Sequence, residues 1–274
     1  MFRLARTLGI VALLLASTES FHAFVPPGVQ QKTPATDAAC VRTWLGHEAG
    51  VEDYLRVTTI ARVESVPIGV TRPKRGFFPP GGLASSIAWK PLPPGRRSGY
   101  WESYKSEIAA YELDKLLKLG MVPPAVERTF DGAMGAAVLW IEPVTGWNKD
   151  RPVTGPQPEW NRQVSRMKLF DQLIANIDRN QGNLLYDADW HLFLIDHSRA
   201  FTDRTSLGGI AAPTLVDRVL WDRITALTRE DVQTALDRWL DGRAIDALFK
   251  RRDLMRKEIE KDVARRGDAA VFLR

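Results

Sequence analysis

The segment Leu192-Phe193-Leu194-Ile195-Asp196-His197 constrains the fold of this chain more than any other. Four apolar residues in succession read as a strand buried on both faces, and such a strand has no packing reason to end in a carboxylate. Upstream, Asn161 to Ile177 carries Val164, Met167, Phe170, Leu173, Ile174 and Ile177 on one side of a helix. That helix empties into the polar loop Asp178-Arg179-Asn180-Gln181-Gly182-Asn183. Leu184 to Tyr186 and Leu192 to Ile195 then pair as a hairpin across a turn at Asp187 to Trp190. The wiring sets Asp196 beside the loop acid Asp178 and the loop amide Asn183. Taken alone, an Asx-rich loop equally builds turns for local reasons. The terminal acid of the strand tips the balance, because Mg²⁺ takes hard oxygen ligands, one or two carboxylates completed by phosphate oxygens.

The rest of the chain supplies a frame for such a site. Its 274 residues suffice for one large domain or two small lobes sharing a cleft. A hydrophobic share of 45% with 26% charged residues excludes wholesale disorder. Cys40 is alone, which rules out an intrachain disulfide or a cysteine metal cage. The +5 charge is divided between the N-terminal stretch and Lys250 to Arg266. The latter reads as a solvated helix with Met255, Ile259 and Val263 on one face, which disfavours nucleic acid as a partner.

Along the chain, residues 1–23 look like a signal peptide: Arg3 and Arg6 precede an apolar run, Leu8 to Ala16, too short for a comfortable membrane span. The expected location is secreted or periplasmic. The alternatives are a membrane anchor that is not cleaved, or a cytoplasmic protein whose start is mis-set. Residues 24–50 read as a linker with one short helix near Ala38 to Leu45. Residues 51–145 read as a sheet with a helix: a strand from Tyr54 to Val66, a hairpin from Lys74 to Lys90, a helix from Ser103 to Leu119, and a hairpin turning at Asp131-Gly132. Between them, Pro91 to Gly99 reads as a loop. Residues 146–274 are a Pro/Gly-rich connector followed by mostly helix. The fold class is α+β, with a β-rich half and a helical half.

Two further residues join the constellation. Lys90 ends the strand Ile87-Ala88-Trp89-Lys90, from which its ammonium can reach phosphate oxygens. Glu107, early on the following helix, can hold that ammonium, although Glu102 and Glu112 compete for the part. Either residue alone also reads as an ordinary surface charge.

Together these segments resemble the catalytic core of atypical kinases in the protein-kinase-like superfamily. The nearest in pattern are the phosphatidylinositol 3- and 4-kinases, the secretory-pathway Golgi casein kinases and HipA-type kinases. In these, Asp-Arg-x-x-x-Asn is followed after a hairpin by a metal-binding Asp. The resemblance spans about Val57 to Phe201. It implies a two-lobed protein-kinase-like fold and an ATP- and Mg²⁺- or Mn²⁺-dependent phosphotransferase acting on a protein, lipid or small-molecule hydroxyl. By carry-over, Asp178 is the catalytic acid/base, Lys90 binds the α/β-phosphates and Glu107 pairs with it, and Asn183 and Asp196 hold the metal. Gly69, Val70 and Thr71 would cover the phosphates, and adenine would meet backbone near Trp140 to Glu142. There is no G-x-G-x-x-G loop, His197 replaces the Phe of a DFG motif, and no APE-like segment follows, so ordinary protein kinases are disfavoured. The rival expectations are a nucleotide-binding pseudokinase and a kinase-fold protein nucleotidyltransferase. Hydrolase, zinc-peptidase and Walker A patterns are absent from the sequence.

Overall fold

The computed structural model describes residues 42, 44–66, 73–147 and 154–273. The expected leader, most of the linker and the short helix from Ala38 lie largely outside these residues, as do Gly69, Val70 and Thr71. The sheet-rich lobe is a five-stranded antiparallel sheet in the order β1-β2-β3-β7-β6. Its strands are β1 (Arg62–Ser65), β2 (Lys74–Phe77), β3 (Ser86–Lys90), β6 (Ala125–Phe130) and β7 (Ala133–Leu139). Between β3 and β6 come a small hairpin, β4 (Gly95–Arg97) with β5 (Tyr100–Glu102), and helix α2 (Tyr104–Leu117). Ser103 caps α2 by accepting from the Lys105 amide, and Lys118 turns left-handed at its end. The Asp131-Gly132 turn joins β6 to β7 with positive φ at both residues, as a tight hairpin requires.

Three expectations need correction. Tyr54 to Val57 is not strand but the end of helix α1 (Glu48–Val57), so the strand expected from Tyr54 shrinks to β1. The same helix starts inside the stretch read as linker. Val51 and Leu55, one turn apart, are buried with Trp44, Phe78 and Phe193, and this packing outweighs the local β-propensity of Val57-Thr58-Thr59. The stretch expected as a loop from Pro91 to Gly99 contains β4.

In the helical lobe, α3 (Glu159–Ile174) is followed by a 3₁₀ turn at Gln181–Asn183 and by β9 (Leu184–Tyr186) and β10 (Leu192–Leu194). Strand β9 is central in this small sheet and pairs with both β10 and β8 (Thr145–Gly146). Helices α4 (Arg218–Ala226), α5 (Arg229–Leu236) and α6 (Gly242–Arg266) complete the lobe. Met255 is buried on α6, with Ile259 and Val263 packed partly beneath it on the expected face.

Strand β10 explains its own hydrophobicity. Successive side chains alternate between faces. Leu192 and Leu194 enter the core built from α2 and α3, while Phe193 enters the core under the sheet, against Trp44. Each face is claimed by a different core. Burying Phe193 fully contributes roughly 2–3 kcal/mol, and it fixes the strand that delivers Asp196. Helix α2 is tied to the same region. Its Asp114 carboxylate accepts the amides of Gly120, Met121 and Val122, and the Met121 carbonyl accepts the Leu194 amide. At the other end of the helix, the Ser103 amide donates to the Ser198 carbonyl, and the Ser106 hydroxyl donates to the Ala200 carbonyl.

Candidate active site

Strand β3 pairs with β7 so that Lys90 lies opposite Ala136, and the neighbouring Gly135 makes the approach possible. A Cβ at Gly135 would sit 2.6 Å from the Lys90 carbonyl oxygen and 2.8 Å from the Pro91 Cα. From this strand end the Lys90 Nζ donates to Glu107 Oε1 at 2.6 Å and to Asp196 Oδ1 at 3.0 Å. The other Glu107 oxygen accepts the backbone amide of His197 at 3.1 Å. Helix α2, the end of β3 and the end of β10 thus meet on one buried ion cluster. Burial opposes the charge on Lys90, but Asp196 and Glu107 overcome it and raise its pKa. Lys90 holds the Asp196 carboxyl down to about 2 against its own burial. Glu107, the more deeply buried acid, is raised by desolvation and by Asp196, with Lys90 opposing. Asp196 itself adopts φ +61°, a left-handed conformation that a non-glycine residue adopts at a cost, and this turns its carboxylate off the strand axis toward Lys90. Ser198 donates its hydroxyl to the same oxygen at 3.3 Å. A cavity of about 100 Å³ opens here, lined by Trp89, Lys90, Asp196 and Ser198 among others.

The polar loop after α3 is held by Arg179. Its guanidinium grips the buried Asp171 of α3 with two nitrogens, Nε to Oδ2 at 2.9 Å and Nη2 to Oδ1 at 3.0 Å. Nη1 donates to the carbonyls of Asn183 at 2.9 Å and Ile195 at 2.8 Å, and Nη2 meets His197 Nε2 at 2.9 Å. Burial depresses the His197 pKa well below the usual value, with the Arg179 charge adding to the effect. A neutral ring therefore accepts from Arg179 through Nε2 and carries its proton on Nδ1. Asn183 and Ile195 face each other across the hairpin, the Ile195 amide donating to the Asn183 carbonyl at 3.2 Å, with Asp196 one residue further on.

The Asn183 side chain donates Nδ2 to the Asp178 carbonyl at 3.1 Å, which commits its nitrogen and leaves its oxygen as the acceptor. Among the described residues no group of three His, Cys, Asp or Glu could cage a metal. The available set, one carboxylate and one amide oxygen, suits a hard cation whose coordination is completed by water and phosphate. Asp178 projects from the loop about one third exposed and forms an ion pair with Arg199 Nη1 at 3.2 Å. Arg199 in turn binds Glu102 at 2.8 Å and lies over the Tyr100 ring. Just after β7, Trp140 commits its amide to the Ser86 carbonyl, and its indole donates to Glu142, which is ion-paired with Arg75.

The structure therefore brings Lys90, Glu107 and Asp196 into direct contact, joins Asn183 to Asp178 through a hydrogen bond, and sets Asn183 across the hairpin from the residue preceding Asp196. Trp140 and Glu142, just after β7, make their contacts with Ser86, Arg75 and each other instead. Asp171 and Arg199 were not recognised in the sequence as parts of this arrangement, and Arg179 entered only as the Arg of the Asp-Arg-x-x-x-Asn pattern, with no role. One signal was available: Asp171 interrupts the apolar side of α3, and a buried acid there requires a nearby cation.

No protein-family model matches the sequence, and no curated protein matches it. Solved structures do. Hydra Fam20 with sugar aligns at TM-score 0.66 and 16% identity, over 83% of this chain and 92% of that one. The Golgi casein kinase with Mn/ADP bound aligns at TM-score 0.64 and 13% identity, over 83% and 79%. The Helicobacter pylori proinflammatory kinase CtkA aligns at TM-score 0.50 and 11% identity, over 73% and 93%. At these identities the likeness establishes the fold, which is that of atypical kinases.

Proposed function

We propose that the chain is a nucleotide-dependent phosphotransferase that moves the γ-phosphoryl group of ATP to a hydroxyl. The observation that carries this reading is the lysine shared by Glu107 and Asp196, a cation fixed at a cleft beside a carboxylate one residue beyond Ile195, the hairpin partner of Asn183. Lys90 would hold the phosphate chain as a point charge, and Glu107 keeps its ammonium in place. Asp196 and Asn183 are suited to hold a divalent ion, Mg²⁺ or Mn²⁺, which would neutralise phosphate charge. The Golgi casein kinase of like fold carries Mn and ADP, in support of this ligand class. Asp178 would orient the acceptor hydroxyl and receive its proton. The acceptor oxygen bonds to the γ-phosphorus, the bond to the β,γ-bridging oxygen breaks, and the nucleoside diphosphate leaves. Since Trp140 has committed its amide, the base would read the Ile141 and Glu142 backbone. Positioning and charge neutralisation supply most of such a rate.

The test is thermal stabilisation by ATP with Mg²⁺ or Mn²⁺, paired with γ-³²P and α-³²P labelling. Asp196→Ala should lose the metal-dependent stabilisation. Asp178→Ala should keep it while losing about 10²–10⁴ in turnover. Wild-type turnover in both variants would overturn the assignment, and α-label on the product would convert it to nucleotidyl transfer. The Arg199 ion pair on Asp178 favours a second reading, a nucleotide-binding pseudokinase; tight ATP binding with no transfer to any acceptor would support it. Export by the N-terminal leader is part of the proposal, and N-terminal sequencing of the protein from an extracytoplasmic fraction tests it.

A further inference from the structure

A second and larger cavity, about 410 Å³, lies beside Asp178 and is distinct from the cleft at Lys90. Ile177, the residue before Asp178, lines it, and so does Tyr100, whose ring supports the Arg199 guanidinium that reaches Asp178. The wall is thus joined to Asp178 in two ways, along the chain through Ile177 and through the Tyr100–Arg199 contact. Its walls come from the β4–β5 hairpin, the start of α2, the start of α6, Ile177 and the segment Phe201-Thr202-Asp203, and the first three carry its cations. These are Arg96, Lys105 and Arg243. None of the three forms a side-chain ion pair or hydrogen bond among the described residues. The two lining acids are Asp203 and Asp241, the latter with one carboxylate oxygen accepting the Ala244 amide as the cap of α6, so the cations outnumber the acids three to two. Tyr100 and Trp101, which line the cavity, remain 45% and 42% exposed.

Unpaired cations converging from separate elements on one concavity, with two half-exposed aromatic side chains beside them, fit an anionic ligand that also has apolar C–H surface. The volume falls within the range of small-ligand pockets, which favours a compact molecule over an extended chain. Resting on the phosphotransferase reading, we propose that this cavity holds the phosphoryl acceptor, and that the acceptor is a small polyhydroxylated molecule bearing a phosphate or carboxylate. Its anionic group would lie between Arg96 and Arg243, and a hydroxyl would extend toward Asp178.

The test uses the full chain at low ionic strength, with glycerol 3-phosphate, glycerol and a glutamate-rich peptide as probes, each with saturating Mg-ADP. Glycerol 3-phosphate should bind and glycerol should not. The R96E/R243E variant places one reversed charge on an exposed strand and one in the first turn of α6, where an acid favours the helix. It should lose glycerol 3-phosphate affinity by at least roughly tenfold while keeping Mg-ADP binding and a wild-type circular dichroism spectrum. Equal binding of glycerol and glycerol 3-phosphate, or undiminished affinity in the variant, overturns the assignment. Binding of the peptide in place of glycerol 3-phosphate overturns the small-molecule class. Failure of Mg-ADP to bind, with glycerol 3-phosphate binding intact, overturns the phosphotransferase reading and with it the acceptor role, while upholding the anion site.

Discussion

Replacing Arg179 with lysine keeps the charge but removes the planar fork. The wild-type guanidinium donates twice to Asp171, once each to the Asn183 and Ile195 carbonyls, and contacts His197 Nε2, all within 3.0 Å. A lysine ammonium, on a shorter side chain and without the fork, can keep one contact to Asp171 and reach one carbonyl, so about three are lost. Hydrogen bonds involving a charged group are worth about 1.5–3 kcal/mol each, and partial relaxation brings the expected loss to about 3–5 kcal/mol. Arg179→Ala should cost more, since it strands a buried carboxylate, worth about 3–5 kcal/mol by itself. Urea unfolding followed by tryptophan fluorescence measures the change, with the variant paired in a double-mutant cycle with Asp171→Asn. If Arg179 links the helix, loop and hairpin as a unit, the double variant should fall short of additivity by more than about 1 kcal/mol. An R179K protein within about 1 kcal/mol of wild type, or strict additivity in the cycle, would refute the reasoning.

Two further perturbations follow from the same geometry. Gly135→Ala drives a methyl into the backbone of Lys90 and Pro91, and should destabilise by about 1–3 kcal/mol while weakening nucleotide binding. A G135A protein that binds Mg-ATP like wild type would show that β7 can yield without moving Lys90. Glu52 is desolvated, yet hydrogen bonds from Lys115, Arg56 and Tyr111 lower its pKa below the ordinary 4.5. Its contribution to stability is therefore complete above that value and is lost as the pH falls through the depressed one. The difference in urea midpoint between wild type and Glu52→Gln should be large at pH 7 and shrink in acid; a pH-independent difference would contradict this.

What could be read from the sequence depended on how local its cause was. Helix α3, the polar loop and the β9–β10 hairpin announce themselves because their periodicity and turn residues lie within a few positions of each other. Helix α1 did not, because Val51 and Leu55 become helical through their packing on Trp44 and Phe193, far away in the chain. The β4–β5 hairpin was hidden among prolines and arginines, although its Ser98-Gly99 turn, with φ of 49° and 85°, carries a hairpin signal. Arg199 was illegible for a different reason. Only after the chain turns through the left-handed Asp196 does an arginine three positions later come back to Asp178, and no local pattern encodes that path.

Helix α2 is stitched to the strand-loop segment bearing Asp196 at both of its ends. A helix fastened only along its middle could pivot and make the lysine–glutamate contact conditional, so that a distant event would throw the site open or shut. Here rotation would tear main-chain bonds at Ser198 and at Met121 together. The charged triad is thus a fixture of the folded state, and any throttle on this protein must act through what reaches the cleft.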